Sequence, residues 1–233
     1  MAKTDTIEQV AMICECTPEE IVIQKLGEKE EGPGKSRTYM DCTVTHTNHP
    51  IRPKDQTDMP GIGDQELVMS TAMIRGTSLS KYGLLKFDVK GAHHVVKKKR
   101  RCWKFLVVWV GGYFYIFKVG AFGDGSAGYY WGRVYATIHR IIYYVGDDDL
   151  WGMVFADDSL WNIPMGTIWE EAALILALLS ALGLPFSWHK TLMGLAMTWV
   201  GFEISYKDWR VGAQLARTEE IGSRSPSPST GSS

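Results

Sequence analysis

Two adjacent aspartates, Asp157 and Asp158, stand between two apolar runs in the segment WGMVFADDSLWNI, residues 151–163. Neighbouring carboxylates repel one another, and burial raises the free-energy cost of keeping both charged. The flanking runs predict a strand, a tight turn that carries the aspartates, and a second strand. Such a pair is stable either on a solvated turn or beside a cation, and this segment alone leaves both alternatives open.

A third carboxylate, Asp88, ends a separate apolar run in GLLKFDVKGAH, where a buried strand is predicted from Leu84 to Val89. If this strand and the aspartate hairpin are neighbours in one sheet, the three carboxylates converge at one edge. Two divalent ions about 3.5–4 Å apart would relieve the repulsion and could activate a hydroxyl group. Ligands that are all oxygen favour Mg²⁺ or Mn²⁺ over zinc. The pattern therefore predicts a two-ion site formed by Asp88, Asp157 and Asp158.

The other local patterns favour an α+β fold, with an antiparallel or mixed sheet packed on helices. Two apolar runs flank Gly111 and Gly112, which predicts a β-hairpin with a tight turn. Capping and turn residues predict helices over residues 17–27, 64–76, 126–144 and 167–182, and one continuous strand over residues 197–206. Strands and helices alternate irregularly, so a doubly wound parallel sheet is disfavoured.

The charge distribution excludes a uniformly basic nucleic-acid-binding surface, because the formal net charge is −1. Basic residues are concentrated from Lys81 to Lys118, a stretch that contains ten Lys or Arg residues and a single acidic residue, Asp88. Within this stretch, residues 97–101 (KKKRR) are predicted to form a solvated loop with a modest electrostatic role. The four cysteines show no repeated CxxC spacing, which favours reduced thiols over a zinc site.

No apolar signal-peptide core is visible at the N-terminus, and the longest apolar run is shorter than a membrane span. We therefore expect an intracellular protein, cytoplasmic or nuclear, that has no membrane partner.

Five motifs, in the same order as in the family, resemble the palm and part of the fingers of reverse transcriptases from eukaryotic retroelements, over most of residues 35–206. They are FDVKGAH, AFGDGSAGYYWGR, FADD, GLPFSWHK and WVGFEI. Upstream, KSRTYMDCT and NHPIRPKDQ are similar to the fingers segment that contacts the incoming triphosphate. The resemblance implies a partial fingers segment (35–80) and a palm with a primer-grip strand (81–210). Local composition and capping residues add an N-terminal helix and loop (1–34) and a disordered tail rich in Ser and Pro (211–233).

The resemblance also implies nucleotidyl transfer from a deoxynucleoside triphosphate to the 3′-hydroxyl of a primer. Asp88, Asp157 and Asp158 would hold two Mg²⁺ or Mn²⁺ ions, with Asp158 the less direct participant. The Val89 carbonyl would complete a metal site. Lys190 would protonate the departing pyrophosphate as a general acid, although a surface lysine is an equal alternative.

Nucleotide-binding, primer and template residues are implied in the same way. Arg37 would clamp the β- and γ-phosphates, with Lys35 nearby, and His93 stands where the family usually carries the Phe or Tyr ring that excludes a ribose 2′-hydroxyl. The residues implied to line the base, the primer or the template are Phe122, Gly123, Ser126, Ala127, Trp199, Gly201 and Phe202. Ordinary structural roles stay open, such as an exposed loop position for Arg37 and a core position for Trp199.

The predicted function is an RNA-directed DNA polymerase that uses an RNA or DNA template, a primer and deoxynucleoside triphosphates. Since the family normally adds a longer fingers region, a thumb and often a ribonuclease H domain, we expect a fragment of a retroelement polyprotein, associated with those parts, or a decayed copy. A catalytically inactive palm-like protein that binds nucleic acid, or a relic, is the alternative. An RNA-templated RNA polymerase is disfavoured because it would favour a GDD turn over FADD.

Overall fold

The structure is a computed structural model that describes residues 1–32, 34–55, 58–74 and 82–213. Its strands are β1 (Ala2–Thr4), β2 (Ile23–Gly32), β3 (Lys35–Asp41), β4 (Tyr82–Asp88), β5 (Val107–Val110), β6 (Tyr113–Ile116), β7 (Trp151–Phe155), β8 (Asp158–Pro164), β9 (Leu192–Gly194), β10 (Ala196–Trp199), β11 (Phe202–Ser205) and β12 (Arg210–Ala213). Its α-helices are α1 (Ile7–Cys14), α2 (Ile62–Ile74), α3 (Ala92–Val95), α4 (Gly125–Val145) and α5 (Ile168–Ala181). This mixture of sheets and helices confirms the predicted α+β fold.

The chain divides into two compact units, each built from two separate stretches of sequence. The first unit comprises Met1–Asp58 and Gly91–Ile138, and the second comprises Met59–Lys90 and the described residues from His139 onward. None of the described helices is long and apolar enough to cross a membrane.

The first unit contains a five-stranded sheet with the strand order β1-β6-β5-β2-β3. Strand β2 runs parallel to β5, whereas the other neighbours in this sheet are antiparallel. The predicted hairpin is confirmed: Val110 pairs with Tyr113, and the turn residues Gly111 and Gly112 have φ angles of 57° and 83°. Such angles are typical of a two-residue turn that matches the twist of the flanking strands.

The helix predicted over residues 17–27 is wrong. The predicted cap exists, since the Thr17 backbone N–H donates to Glu20 Oε2 at 3.1 Å, but the helix is a single 3₁₀ turn, Pro18–Glu20. The residues that follow begin with Ile21, Val22 and Ile23, whose branched side chains favour an extended backbone. Strand β2 pairs with β3 along most of its length. The helix of this region is instead α1, which the sequence patterns did not predict.

The prediction of a solvated loop over residues 97–101 is wrong for Lys98. Its side chain is only 9% exposed, and its Nζ lies 2.5 Å from Asp124 Oδ2. A lysine can be buried in this way because an opposite charge neutralises it. Residues Arg100–Phe105 continue as a 3₁₀ helix rather than as a loop.

The second unit contains an antiparallel sheet with the strand order β7-β8-β4-β9. Helix α5 packs against β4 at Gly83, where an added Cβ would lie 2.3 Å from Ile168 Cδ1. Asn162 on β8 joins a buried polar network: its Oδ1 accepts from Gln65 Nε2 at 2.9 Å and from the Tyr206 hydroxyl at 2.6 Å. These bonds connect α2 and the residue that follows β11 to the sheet. The predicted helices over 64–76, 126–144 and 167–182 are confirmed as α2, α4 and α5, except that residues 75 and 76 lie outside the described residues.

The single strand predicted over residues 197–206 is wrong, because the segment is a β-hairpin formed by β10 and β11. Val200 and Gly201 turn the chain with φ angles of 50° and 83°. Strand β12 adds a third strand to this sheet and contains residues 211–213 of the predicted disordered tail. The rest of that tail, residues 214–233, lies outside the described residues.

Gly123 lies so close to β3 that a larger residue at this position is expected to destabilise the protein. Its φ is 92°, and a Cβ added to it would lie 1.8 Å from the Met40 carbonyl oxygen. We expect Gly123→Ala to lower the free energy of unfolding by at least about 2 kcal/mol, from the clash together with the unfavourable φ. Urea denaturation followed by circular dichroism measures this. Gly111→Ala is the matched control, since Gly111 also has a positive φ but has no atom within 4 Å of the added Cβ. Equal losses in the two variants would contradict the clash.

Burial of His139 is expected to make the free energy of unfolding depend on pH. His139 is buried against Trp161, with ring centroids 4.6 Å apart, and this burial lowers its pKa to about 4. The unfolded chain therefore binds a proton near pH 6.5 that the folded chain accepts only near pH 4, so stability falls as the pH drops through that window. The loss approaches about 3 kcal/mol. We expect His139→Phe to flatten the pH dependence of the free energy of unfolding, whereas the same change at exposed His189 leaves it intact.

Candidate metal centre

Strand pairing brings together the three carboxylates that the sequence predicted to converge. Asp88 is the last residue of β4 and lies opposite Asp158, the first residue of β8. Asp157 occupies the turn between β7 and β8, and its carbonyl oxygen accepts a hydrogen bond of 3.0 Å from the Val89 backbone N–H. One oxygen of each carboxylate lies within 4.8 Å of the others. The three aspartates therefore form one acidic centre.

The turn that carries Asp157 is tight. Phe155 pairs with Asp158, so only Ala156 and Asp157 lie between the two strands. Ala156 has a φ of 54°, in the left-handed region that residues other than glycine seldom adopt. Because both ends of the turn are fixed by strand pairing, the position of Asp157 is set by the sheet rather than by a free loop.

Burial and neighbouring charges shape the electrostatics of the centre. Asp88 is buried, whereas Asp157 and Asp158 are half-buried. Burial raises the pKa of Asp158, Lys86 opposes that rise, and the carboxylates of Asp157 and Asp88 add to it. Lys86 and Lys190 compensate part of this negative charge, and a bound cation would compensate more of it.

Ser187 contacts the centre and was missed by the sequence reasoning. Its hydroxyl donates to Asp88 Oδ2 at 2.6 Å, and its backbone N–H donates to the Asp88 carbonyl at 3.0 Å. Lys190 Nζ donates to the same Oδ2 at 3.1 Å. The available signal was the position of Ser187 close before Lys190 in GLPFSWHK. Ser187 holds both the backbone and the side chain of Asp88.

The donor set fits a divalent cation that prefers oxygen ligands. All three side chains are carboxylates, which suits Mg²⁺ or Mn²⁺ better than zinc. In the described part of the chain, Ser187 and Lys190 both bind Asp88 Oδ2, which leaves Oδ1 as an acceptor for another ligand. Asp88, Asp157 and Asp158 are therefore the residues that would hold metal ions.

Three of the predicted nucleotide-binding residues cluster within the first unit. The Arg37 guanidinium carbon lies 4.6 Å from the centroid of the Phe122 ring. The His93 ring lies 4.9 Å from the same centroid. Gly123 follows Phe122 and is pressed against the backbone of β3, as described above. Val89 belongs to the second unit, next to Asp88.

The remaining predicted residues have mixed surroundings. Lys35 is exposed at the start of β3, and the Ser126 hydroxyl donates to Asp124 Oδ1 at 2.7 Å. Ala127 is fully buried, with 0% exposure, so its side chain presents no surface.

The predicted primer-grip residues lie on the β10–β11 hairpin. Trp199 is 1% exposed and packs in a core cluster with Tyr82 and Leu160, which is the alternative left open by the sequence. Gly201 lies in the turn, and Phe202 is half-buried. A primer-binding role for these residues stays a prediction.

Comparison with solved structures reveals the same fold in foamy viral protease-reverse transcriptases. The form named dRH, in complex with double-stranded DNA, superposes with a TM-score of 0.67 at 13% identity, over 89% of this chain and 33% of that one. A complex with an RNA/DNA hybrid gives 0.65 at 12% identity, over 88% and 25%. Another complex with double-stranded DNA gives 0.65 at 14% identity, over 95% and 44%.

The likeness lies in the fold and not in the sequence. No family model and no curated protein matches the chain significantly. The chain spans less than half the length of each of these viral chains. The structural superpositions show that the chain has a reverse-transcriptase-like fold, and this fold carries the three-aspartate centre described above.

The repulsion within the centre predicts the effect of neutralising one carboxylate. In the presence of a chelator, we expect Asp158→Asn to raise the free energy of unfolding by about 1 kcal/mol, or ~2–4 °C in Tm, because a half-buried charge is removed. We also expect MnCl₂ to raise the Tm of the unaltered chain by several times more than that of the variant, since a ligand is lost. Differential scanning fluorimetry measures both effects.

Asp148→Asn is the matched control, because Asp148 is exposed on a loop outside the centre. It should leave both the Tm in chelator and the response to MnCl₂ unchanged. A stabilisation by MnCl₂ that persists in full in Asp158→Asn would contradict a metal site at these residues.

Proposed function

We propose that this chain is the palm and partial fingers of a reverse transcriptase: an RNA-directed DNA polymerase that transfers a nucleotide from a deoxynucleoside triphosphate to a primer 3′-hydroxyl. The observation that carries the proposal is the convergence of Asp88, Asp157 and Asp158 at one end of β4 and β8. The reverse-transcriptase-like fold supports it. The resemblance of FDVKGAH and FADD, the segments that carry these aspartates, to motifs of that family supports it as well.

The proposed chemistry uses two divalent ions, Mg²⁺ or Mn²⁺, held by these carboxylates. When bound, such ions lower the pKa of an attacking hydroxyl and stabilise the charge of a leaving group. Asp88 and Asp157 would be the principal ligands, with the Val89 carbonyl beside them. Ser187 would keep the Asp88 carboxylate in one orientation through its 2.6 Å hydrogen bond.

Lys190 is proposed as the general acid that protonates the departing pyrophosphate. Its side chain is 52% exposed, so it can exchange protons with solvent, and its ammonium group lies 3.1 Å from Asp88 Oδ2. A positioned acid typically contributes about 10²–10⁴-fold to the rate. The contact with Asp88 holds the lysine at the acidic centre before any substrate is bound.

The cluster of Arg37, His93 and Phe122 is proposed to bind the incoming nucleotide. Arg37 would donate to the phosphates, and its planar guanidinium suits bidentate contacts with their oxygens. His93 and Phe122 would contact the sugar and the base. Lys35 and Gly123 would support the same site. Ser126, Gly201 and Phe202 would contact the primer and template, and the buried Ala127 and Trp199 would support that surface from the core.

The proposed partners are an RNA or DNA template with its primer and deoxynucleoside triphosphates. The foamy viral neighbours are described in complex with double-stranded DNA or an RNA/DNA hybrid, which supports this choice. We further propose that the chain belongs to a retroelement polyprotein of a eukaryote and works together with thumb and ribonuclease H parts.

Primer extension tests the catalytic role of the acidic centre. With an oligonucleotide primer on an RNA template and MgCl₂ or MnCl₂, we expect Asp157→Asn to lower the extension rate at least about 100-fold, because a metal ligand is lost. Asp148→Asn should extend at the unaltered rate, and circular dichroism should be the same for both variants. If the unaltered chain extends no faster than Asp157→Asn, polymerase activity is wrong for this chain, and a catalytically inactive palm-like protein becomes the better description.

The identity of residue 93 predicts the selectivity for sugars. An imidazole is smaller and more polar than the phenol or phenyl ring that the family usually carries at this position. We expect His93→Tyr to raise the preference for deoxynucleotides over ribonucleotides at least about tenfold, because a larger ring excludes the 2′-hydroxyl better. Competitive incorporation of dNTP and NTP measures the ratio. His94→Tyr is the control, since His94 is the exposed neighbour, and an equal response in both variants would contradict the role of His93.

A further inference from the structure

Lys86 stands out in the central strand β4. Within Tyr82–Asp88, all of which the structure describes, it is the one residue that is not buried; it is half-buried. Strand β4 has β8 on one side and β9 on the other, and Lys86 pairs with Leu160 and Leu192. A lysine between apolar neighbours on a central strand is costly unless its ammonium group reaches a polar partner.

The Lys86 ammonium group has such a partner on a different sheet. Its Nζ donates to the Thr198 carbonyl oxygen at 3.0 Å. Thr198 belongs to β10, an edge strand of the sheet β10-β11-β12, and β10 and β11 form the hairpin that carries the predicted primer-grip residues. Lys86 therefore connects the sheet that holds the acidic centre to this hairpin.

Alternation along β4 places Lys86 between a core cluster and the acidic centre. Side chains two residues apart on a strand lie on the same face, so the even-numbered residues from Tyr82 to Asp88 share one face. Tyr82 and Leu84 belong to the core cluster that contains Trp199 of β10. Asp88, two residues beyond Lys86, belongs to the acidic centre. Lys86 thus stands at the boundary between the part of this face that packs on the hairpin and the part that carries the aspartate.

The charge of Lys86 also acts on the acidic centre. Burial raises the pKa of Asp158, and Lys86 opposes that rise. The other nearby cation, Lys190, contacts the Asp88 carboxylate directly at 3.1 Å and is 52% exposed. Lys86 differs from it because its ammonium group is bound to the backbone of the hairpin. It is a cation that is fixed beside the centre.

We infer that Lys86 is a positioning residue that couples the β10–β11 hairpin to the acidic centre. Its hydrogen bond to Thr198 sets the position of the hairpin, and hence of a primer 3′-hydroxyl, relative to the metal ions. Its charge limits how tightly the carboxylates bind a cation. The inference deepens the proposed function and rests on it for the primer. Such coupling affects the rate because a misplacement of about 1 Å can cost about 10²-fold.

Primer extension at varied dNTP concentration tests the positioning role. We expect Lys86→Met to lower kcat at least about tenfold, because the hairpin loses its link to β4 and the hydroxyl is held less accurately. The KM for the dNTP should stay unchanged, since Arg37 and His93 are unaltered. Lys86→Arg keeps a charged donor and should recover most of the rate.

Lys207→Met is the matched control, because Lys207 is exposed between β11 and β12. It should extend primers at the unaltered rate. No fall in Lys86→Met, or an equal fall in both variants, would overturn the positioning role. Methionine suits a position between Leu160 and Leu192, so Lys86→Met should fold. If circular dichroism shows that it does not, Lys86→Gln takes its place with the same expectations.

Two measurements do not depend on polymerase activity. With free Mn²⁺ measured by electron paramagnetic resonance, we expect Lys86→Met to bind Mn²⁺ at least about threefold more tightly, because a repelling charge is removed. A residue that only supports the fold would leave this affinity unchanged or lower it. In EDTA, amide hydrogen exchange over residues 196–205 should become at least about fivefold faster in Lys86→Met but not in Lys207→Met. Unchanged Mn²⁺ affinity or unchanged exchange would contradict the coupling.

Failure of this inference and failure of the proposed function are distinguishable. If the unaltered chain does not extend primers, while Lys86→Met still tightens Mn²⁺ binding and speeds exchange in the hairpin, the polymerase alone is refuted. Primer extension that Lys86→Met leaves intact would refute the positioning role alone.

Discussion

The acidic centre depends on strand pairing, which holds three mutually repelling carboxylates close together. Asp88 and Asp158 face each other across β4 and β8, and the turn holds Asp157 beside them. A register shift of one residue would turn each side chain to the opposite face of the sheet. The buried network around Asn162, on β8, opposes such a shift. The fold therefore maintains a concentration of negative charge that a bound cation would stabilise.

Local sequence patterns correctly predicted those helices and hairpins that are determined by residues close together in the sequence. Gly111 and Gly112 between two apolar runs specify a hairpin, and apolar strands that end in aspartate specify where the carboxylates lie along the chain. The helices α2, α4 and α5 follow from capping and turn residues. The convergence of Asp88 with the FADD turn was predicted by assuming that two strands are neighbours, and the observed pairing of β4 with β8 confirms it.

Contacts between distant segments account for what the sequence did not predict. The capping signal at Thr17 is real, but pairing of β2 with β3 overrides it and leaves one turn of helix. The burial of Lys98 depends on Asp124, and the orientation of Asp88 depends on Ser187. Neither partner is near in sequence, so neither contact was visible in a local pattern. The hairpin at Val200 was hidden because only Gly201 interrupts the apolar alternation.

The interleaving of the two units constrains how the protein can be divided or recombined. Each unit is assembled from two stretches of chain, with the crossings near residues 58, 90 and 138. A contiguous piece such as 81–210 would carry only the later half of the first unit and would lack α2, whose Gln65 joins the network at Asn162. Gene rearrangements that exchange such a piece would therefore disrupt both cores, so the two units are expected to be inherited together.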